Sequence, residues 1–81
     1  MDDDARERAW AAVHDAVARM PGWAVGPCQW HGETASWHVA VIDLRPRGRQ
    51  AKREAITATG GTEVAALGAL AELLEARIRR G

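Results

Sequence analysis

The chain has 81 residues and a formal net charge of zero, with 11 basic and 11 acidic side chains. This length allows one small domain, predicted to span residues 1–81, whose core is marginal unless it is well packed or completed by a partner. Zero net charge excludes a chain-wide attraction to nucleic acid or to an anionic membrane, so any such attraction must be local.

The N-terminal segment is charged and acidic, unlike a secretory signal, and no apolar run approaches the roughly 20 residues of a membrane span. Cys28 is the only cysteine, so no internal disulfide can form. The abundance of alanine and arginine is typical of GC-rich bacterial genomes. We therefore predict a bacterial, cytoplasmic protein with no membrane partner.

The first predicted helix runs from about residue 4 to residue 20. Its apolar residues recur at helical spacing and share one face: Ala9, Trp10, Val13, Ala16, Val17 and Met20. Pro21-Gly22 then stops the helix. The following segment, 23–31, is apolar and aromatic but contains Gly26-Pro27, and proline cannot donate to a sheet. We predict an edge strand or a bulged strand there.

The strongest predicted strand covers residues 36–44 and is apolar on both faces, as a strand covered on both sides would be. A polar connection, 45–53, leads to a third strand at about 54–59. Gly60-Gly61 is predicted to form a turn that needs positive φ, and Thr62 is a good N-cap for a helix over 62–80. In that helix one face is apolar: Val64, Leu67, Leu70, Ala71, Leu74 and Ile78.

The predicted fold class is α+β, an α-β-β-β-α two-layer sandwich. Its three strands form an antiparallel meander, and both helices lie on one face. The other face is left open in a monomer, so we predict that a second copy or another partner covers it. A homodimer, formed through the sheet or through a Trp-bearing face, is the expected form, and the predicted interface residues are Trp30, Trp37, Val39 and Val41.

The connection between the second and third strands is strongly basic. It carries five positive charges and no acidic residue: Arg45, Arg47, Arg49, Lys52 and Arg53. Arginine forks suit phosphate oxygens, so this segment is the predicted nucleic-acid contact, with an acidic protein as the other candidate partner. The alternative is a solvated loop without a binding role, because short basic runs are common.

Cys28, His31 and His38 are candidate metal ligands, with His14 as a fourth. Cys28 and His31 would point to opposite faces of a regular strand, and closed zinc sites have tighter paired spacings, so we predict no metal and no cofactor. No catalytic arrangement can be placed from spacing, and Asp43 beside Arg45 is predicted to be a strand-end ion pair. We predict no enzyme; an enzyme would need the two histidines and Cys28 to converge.

The order α-β-β-β-α, with a Gly-rich entry into the second helix, resembles double-stranded-RNA-binding domains over about Asp4 to Arg80. In that family the second helix opens with phosphate-binding lysines, whereas the matching positions here are Glu63, Val64, Ala65 and Ala66. Residues 35–80, with Trp37-His-Val-Ala-Val-Ile-Asp-Leu44 and Thr59-Gly-Gly-Thr-Glu-Val-Ala-Ala-Leu67, are similar to HicB-like antitoxin domains. Both resemblances imply a non-catalytic module.

Two functional hypotheses result. The first is a small binding module that contacts nucleic acid through the basic segment 45–53. The second is an antitoxin-like or regulatory domain that binds another protein through the open apolar face of its sheet.

Overall fold

The computed structural model describes residues 2–45 and 53–81. Within these ranges two helices and an antiparallel sheet make a compact α+β fold, as predicted. The elements in chain order are α1 Asp2–Ala18, β1 Trp23–Val25, β2 Gln29–His31, β3 Ser36–Asp43, β4 Ala55–Gly60 and α2 Glu63–Arg80.

Strand β3 is the centre of the sheet. On one edge it pairs with β4, where Val39 lies opposite Ala58. On the other edge it pairs with β1, where Val25 lies opposite Val41, and with β2, where Gln29 lies opposite His38. On the outer strand, three residues, 26–28, lie between the two paired segments. On β3 only two residues, 39 and 40, lie between the same segments. Strands β1 and β2 are therefore two halves of one edge strand with one extra residue between them, which confirms the predicted bulge.

Both helices cover the same face of the sheet, and the core lies between the two layers. Alternation along β3 places Val39, Val41 and Asp43 on the covered face. The apolar stripes predicted for the helices supply most of the remaining core. The buried apolar residues are Val13, Ala16, Met20, Val39, Val41, Ala58, Ala66, Leu67, Leu70 and Leu74.

Helices α1 and α2 run parallel. Arg6, near the start of α1, pairs with Glu63 at the start of α2 at 3.0 Å. Arg19, just after α1, pairs with Glu75 in the C-terminal half of α2. Both helices therefore begin at one end of the molecule and finish at the other, beside the end of β3 and the start of β4.

Helix α1 ends earlier than predicted. The backbone N–H groups of Arg19 and Met20 donate to the carbonyls of Ala16 and Val17, at 3.0 and 2.9 Å, so the chain tightens into a turn after Ala18. Gly22 then adopts a φ of +85°, which favours glycine, and leads into β1. Met20 lies outside the helix but remains buried.

The turn between β4 and α2 needs glycine for a reason different from the predicted one. Among the described residues only Gly22 is a glycine with positive φ, so the prediction for Gly60-Gly61 is wrong. A Cβ on Gly60 would lie 2.5 Å from the backbone nitrogen of Ala66, so the first turn of α2 approaches too closely for a side chain. Thr62 caps the helix as predicted, accepting from the N–H of Ala65 at 3.0 Å.

The order of elements is compatible with the topology that the resemblance to double-stranded-RNA-binding domains implies. Of the helices in the described part of the chain, neither is long and apolar enough to cross a membrane.

Candidate functional site

A cleft of about 490 Å³ opens at the end of the molecule where both helices finish. It lies between the turn after α1, the start of β1, the end of β3 and the last turns of α2. Four of its lining residues are arginines, and a tryptophan lies among them. The lining consists of Arg19, Met20, Pro21, Trp23, Arg45, Arg77, Ile78, Arg80 and Gly81.

Arg45 is fixed by the buried carboxylate of Asp43, as the predicted strand-end ion pair requires. Its Nε and Nη2 donate to the two carboxylate oxygens at 2.9 and 2.8 Å, and its backbone N–H donates to Oδ1 at 2.9 Å. The side chain also packs closely against Gly22, where a Cβ would collide with it. Hydrogen bonding to Asp43 raises the pKa of Arg45.

Arg77 is fixed in the same manner by Glu54, just before β4. Its two Nη atoms donate to the two carboxylate oxygens, each at 2.9 Å. Its guanidinium carbon lies 4.8 Å from the ring centroid of Trp23, and that of Arg45 lies 5.7 Å from the same ring. The indole therefore attracts both cations and helps to hold them near each other.

The other two arginines differ in how they are held. Arg19 pairs with Glu75 and, at 3.4 Å, with Asp15, and the hydrogen bond to Glu75 raises the pKa of Arg19. Arg80 is exposed and has no ion-pair partner among the described residues. An incoming anion therefore competes less with the protein's own carboxylates at Arg80 than at the other arginines of the cleft.

The predicted nucleic-acid contact lies partly in this region. Arg45 lines the cleft, and Nη1 of Arg53 donates to the backbone carbonyl of Asp43 at 3.1 Å. Arg47, Arg49 and Lys52 lie outside the described residues. Arg45 and Arg53 flank this segment in the sequence. Both lie at the end of the molecule that also carries Arg19, Arg77, Arg79 and Arg80.

The predicted interface residues do not lie together on the open face. Val39 and Val41 are buried beneath the helices, at 1% and 0% exposure, because the odd-numbered face of β3 is the covered one. Trp30 lies opposite Trp37 on that same face, where it is 52% exposed. Their rings meet edge to face with centroids 5.9 Å apart.

The open face of the sheet consists of other residues, all without a formal charge when histidine is neutral. The register places there Ala24, Gln29, His31, Ser36, His38, Ala40, Ile42, Ala55, Thr57 and Thr59. Ile42 is 37% exposed, and Leu44, just beyond the strand, is 52% exposed. In a chain of which 27% is charged, a sheet face without Asp, Glu, Lys or Arg is a distinct surface.

The candidate metal ligands are divided between the two faces. His31 and His38 stack on the open face with ring centroids 4.1 Å apart, and Nε2 of His38 lies 2.9 Å from the Ser36 hydroxyl. Cys28 packs against the core instead, where burial raises the pKa of its thiol. Within residues 2–45 and 53–81 no three His, Cys, Asp or Glu side chains are grouped to hold a metal ion.

Comparisons with models of protein families, with curated proteins and with solved structures gave no match to this chain. The fold and its surfaces are therefore the basis for assigning a function.

The cleft was not predicted from the sequence, although part of its signal was present. Arg19, Arg77 and Arg80 belong to none of the sites that the sequence predicts. Basic residues at the ends of both amphipathic helices could have indicated the cleft only if the helices were known to be parallel.

Proposed function

We propose that this chain is a small, non-catalytic module that binds nucleic acid through the end of the molecule where both helices finish. The observation that carries the proposal is the distribution of arginine. Within the described residues most arginines lie at this end: Arg19, Arg45, Arg53, Arg77, Arg79 and Arg80. Of the arginines in residues 2–45 and 53–81, only Arg6 and Arg8 lie near the starts of the helices.

This distribution gives a neutral chain a local surface suited to phosphates. Three of the cleft's cations are fixed by Asp43, Glu54 and Glu75, so their guanidiniums are held in position before a ligand arrives. The acidic start of α1 lies at the opposite end, away from the phosphates. Arg47, Arg49 and Lys52 extend the basic sequence that the chain carries between Arg45 and Arg53. The contact differs from that of double-stranded-RNA-binding domains, because here the start of α2 carries Glu63.

The test is binding of short duplex and single-stranded DNA and RNA, measured by fluorescence anisotropy over a salt series. The variant Arg79→Ala/Arg80→Ala removes two charges from the proposed contact. Its matched control, Arg6→Ala/Arg8→Ala, removes two charges from the other end of the helices. A third variant, Arg47→Ala/Arg49→Ala, tests the predicted basic segment.

For duplex DNA, each lost phosphate contact should reduce the slope of log K against log salt by about 0.9. We expect the Arg79/Arg80 and Arg47/Arg49 variants to bind more weakly with a shallower slope, and the Arg6/Arg8 variant to bind like the parent. Equal weakening in all three variants, or no binding at low salt, would overturn the proposal.

The open face of the sheet favours a second candidate function, that of an antitoxin-like or regulatory domain that binds protein. The bound protein would be either a different chain or a second copy of this one. A two-fold axis brings a surface onto itself, so a charged patch repels its own copy, whereas an uncharged one does not. Ile42 and Leu44 supply apolar contact on this face. Of these alternatives, a second copy of the chain fits best.

Light scattering or sedimentation tests this second function. Ile42→Asp places a charge on the open face and should convert a dimer into a monomer. Leu73→Asp is the matched control, because Leu73 is also an exposed apolar residue, at 46%, but lies on α2. A monomeric parent protein, or equal effects of the two substitutions, would exclude this face as the dimer interface.

A further inference from the structure

The cleft has the composition of a discrete ligand site rather than of a generally basic surface. Its four arginines come from three parts of the fold: Arg19 follows α1, Arg45 follows β3, and Arg77 and Arg80 belong to the end of α2. We infer that this cleft binds a phosphomonoester, either on a free nucleotide or at the phosphorylated end of a nucleic-acid strand. The strand-end form rests on the proposed nucleic-acid function, and the free-nucleotide form does not.

The first argument is preorganisation. Asp43 engages Nε and Nη2 of Arg45, and Glu54 engages the two Nη atoms of Arg77. A guanidinium has five N–H groups, so each arginine keeps donors for a ligand while its carboxylate partner fixes its position. Ordering long side chains adds to the cost of binding, and here the fold has already ordered two of them.

The second argument is charge. A phosphomonoester carries close to two negative charges at neutral pH, whereas an internal phosphodiester carries one. Arg19, Arg45 and Arg77 already share their charge with carboxylates, so Arg80 supplies most of the unbalanced positive charge of the cleft. The attraction between this charge and an anion grows with the charge of the anion. A phosphomonoester is therefore favoured here over an internal phosphodiester.

The third argument is shape. A volume of about 490 Å³ falls within the range of small-molecule sites, roughly 300–1,000 Å³. Trp23, Met20 and Ile78 give the cleft an apolar portion beside its cations. Such a combination suits a ligand with a phosphate at one end and a sugar or base at the other.

The chain contains a matched pair of residues for testing this inference. Arg79 and Arg80 are adjacent, exposed and equal in charge, but Arg80 lines the cleft, whereas Arg79 lines a separate groove with Glu72 and Glu75. Arg80 has no ion-pair partner among the described residues, so Arg80→Ala leaves the fold's own contacts in place. A difference between Arg80→Ala and Arg79→Ala therefore reports the cleft and not the net charge.

The experiment measures binding of defined probes to the full chain and to both variants. The small probes are inorganic phosphate, adenosine 5′-monophosphate and adenosine, followed by NMR of the Trp23 indole N–H. The strand probes are one ten-nucleotide sequence with a 5′-phosphate, with a 3′-phosphate, or with hydroxyls at both ends. We expect the monophosphate to shift the Trp23 signal and adenosine to leave it unchanged.

A terminal phosphate should strengthen binding of the strand by about tenfold, the equivalent of one charge-assisted hydrogen bond. Arg80→Ala should remove this advantage, whereas Arg79→Ala should keep it. If strands bind equally with and without terminal phosphate, and the monophosphate does not shift Trp23, the inference fails while the proposed function stands. If no strand binds but the monophosphate binds in an Arg80-dependent manner, the inference stands with a free nucleotide as ligand and the proposed function fails. Equal effects of the two substitutions would overturn the cleft as the site.

Discussion

Arg77 donates two hydrogen bonds, each of 2.9 Å, to the carboxylate of Glu54, and so joins the last turns of α2 to the start of β4. Both side chains are about two-fifths exposed, so the ion pair contributes little to stability. Its larger effect is on the cleft, because Glu54 holds the Arg77 guanidinium and also competes with any anion for it.

Glu54→Gln should therefore strengthen nucleic-acid binding more than the loss of one negative charge alone would. The matched control is Glu72→Gln, because Glu72 is exposed on the same helix as Arg77 but lines a separate groove. At low salt we expect Glu54→Gln to raise the association constant for nucleic acid by a few-fold, which corresponds to about the energy of one surface ion pair. Glu72→Gln should raise it less. Equal increases in anisotropy titrations would mean that Arg77 is not part of the contact.

Gly60→Ala should destabilise the fold, because its Cβ would lie 2.5 Å from the nitrogen of Ala66 and 2.8 Å from the carbonyl carbon of Ala65. Overpacking of this kind costs about 1–3 kcal/mol, measured as a lower urea midpoint. Gly68→Ala is the control with opposite sign: it is exposed in the middle of α2 with no neighbour within 4 Å, and alanine should stabilise the helix by up to about 1 kcal/mol. A neutral Gly60→Ala would show that the turn relaxes.

Asp43→Ala should be among the most destabilising substitutions in the chain. Asp43 is fully buried and accepts three hydrogen bonds from Arg45, two from the guanidinium and one from the backbone. Breaking a buried pair costs about 3–5 kcal/mol, and we expect the low end because Arg45 itself remains exposed. Asp43→Asn keeps an acceptor oxygen and should lose less. Urea unfolding distinguishes the two, and equal losses would show that charge rather than hydrogen bonding is what Asp43 provides.

Cys28 should be slow to react with iodoacetamide at mildly alkaline pH. Burial raises the pKa of its thiol, Glu63 raises it further and Arg6 lowers it. The pH midpoint of the reaction rate should therefore be higher than for a cysteine in an unfolded peptide. Arg6→Ala should raise this midpoint further, whereas Arg8→Ala should leave it unchanged. The folded state favours the protonated thiol, so this contribution to stability is present below the unfolded pKa and lost as pH rises through the folded one. A midpoint equal to that of the peptide would contradict this.

The elements of the fold could be predicted because their signals are local. Apolar spacing in the two helices identified the buried stripes that contain Val13 and Leu70, and Thr62 marked the start of α2. Gly26-Pro27 indicated the interruption between β1 and β2. Each of these features depends on residues that are close together in the sequence. The preferences of those residues determine the local secondary structure.

The candidate site could not be predicted, because it depends on how distant elements pack. Arg19 and Arg77 share a cleft only because the helices are parallel. Which face of β3 the helices cover could not be predicted either. Both of its sides are apolar, so alternation could not determine that Val39 would be covered and Ile42 exposed, and only the position of the helices decides it.

The interruption between β1 and β2 also limits how copies of this chain could polymerise. Pro27 has no N–H to offer, and the N–H of Gly26 already donates to Ala40 at 2.8 Å, so this edge is a poor template for another strand. Edge-to-edge growth is thereby directed to β4, whose outer side has no strand beside it in the described part of the chain. Two β4 edges that pair with each other would leave only the interrupted edges exposed, so we expect strand addition to favour two chains over a fibre.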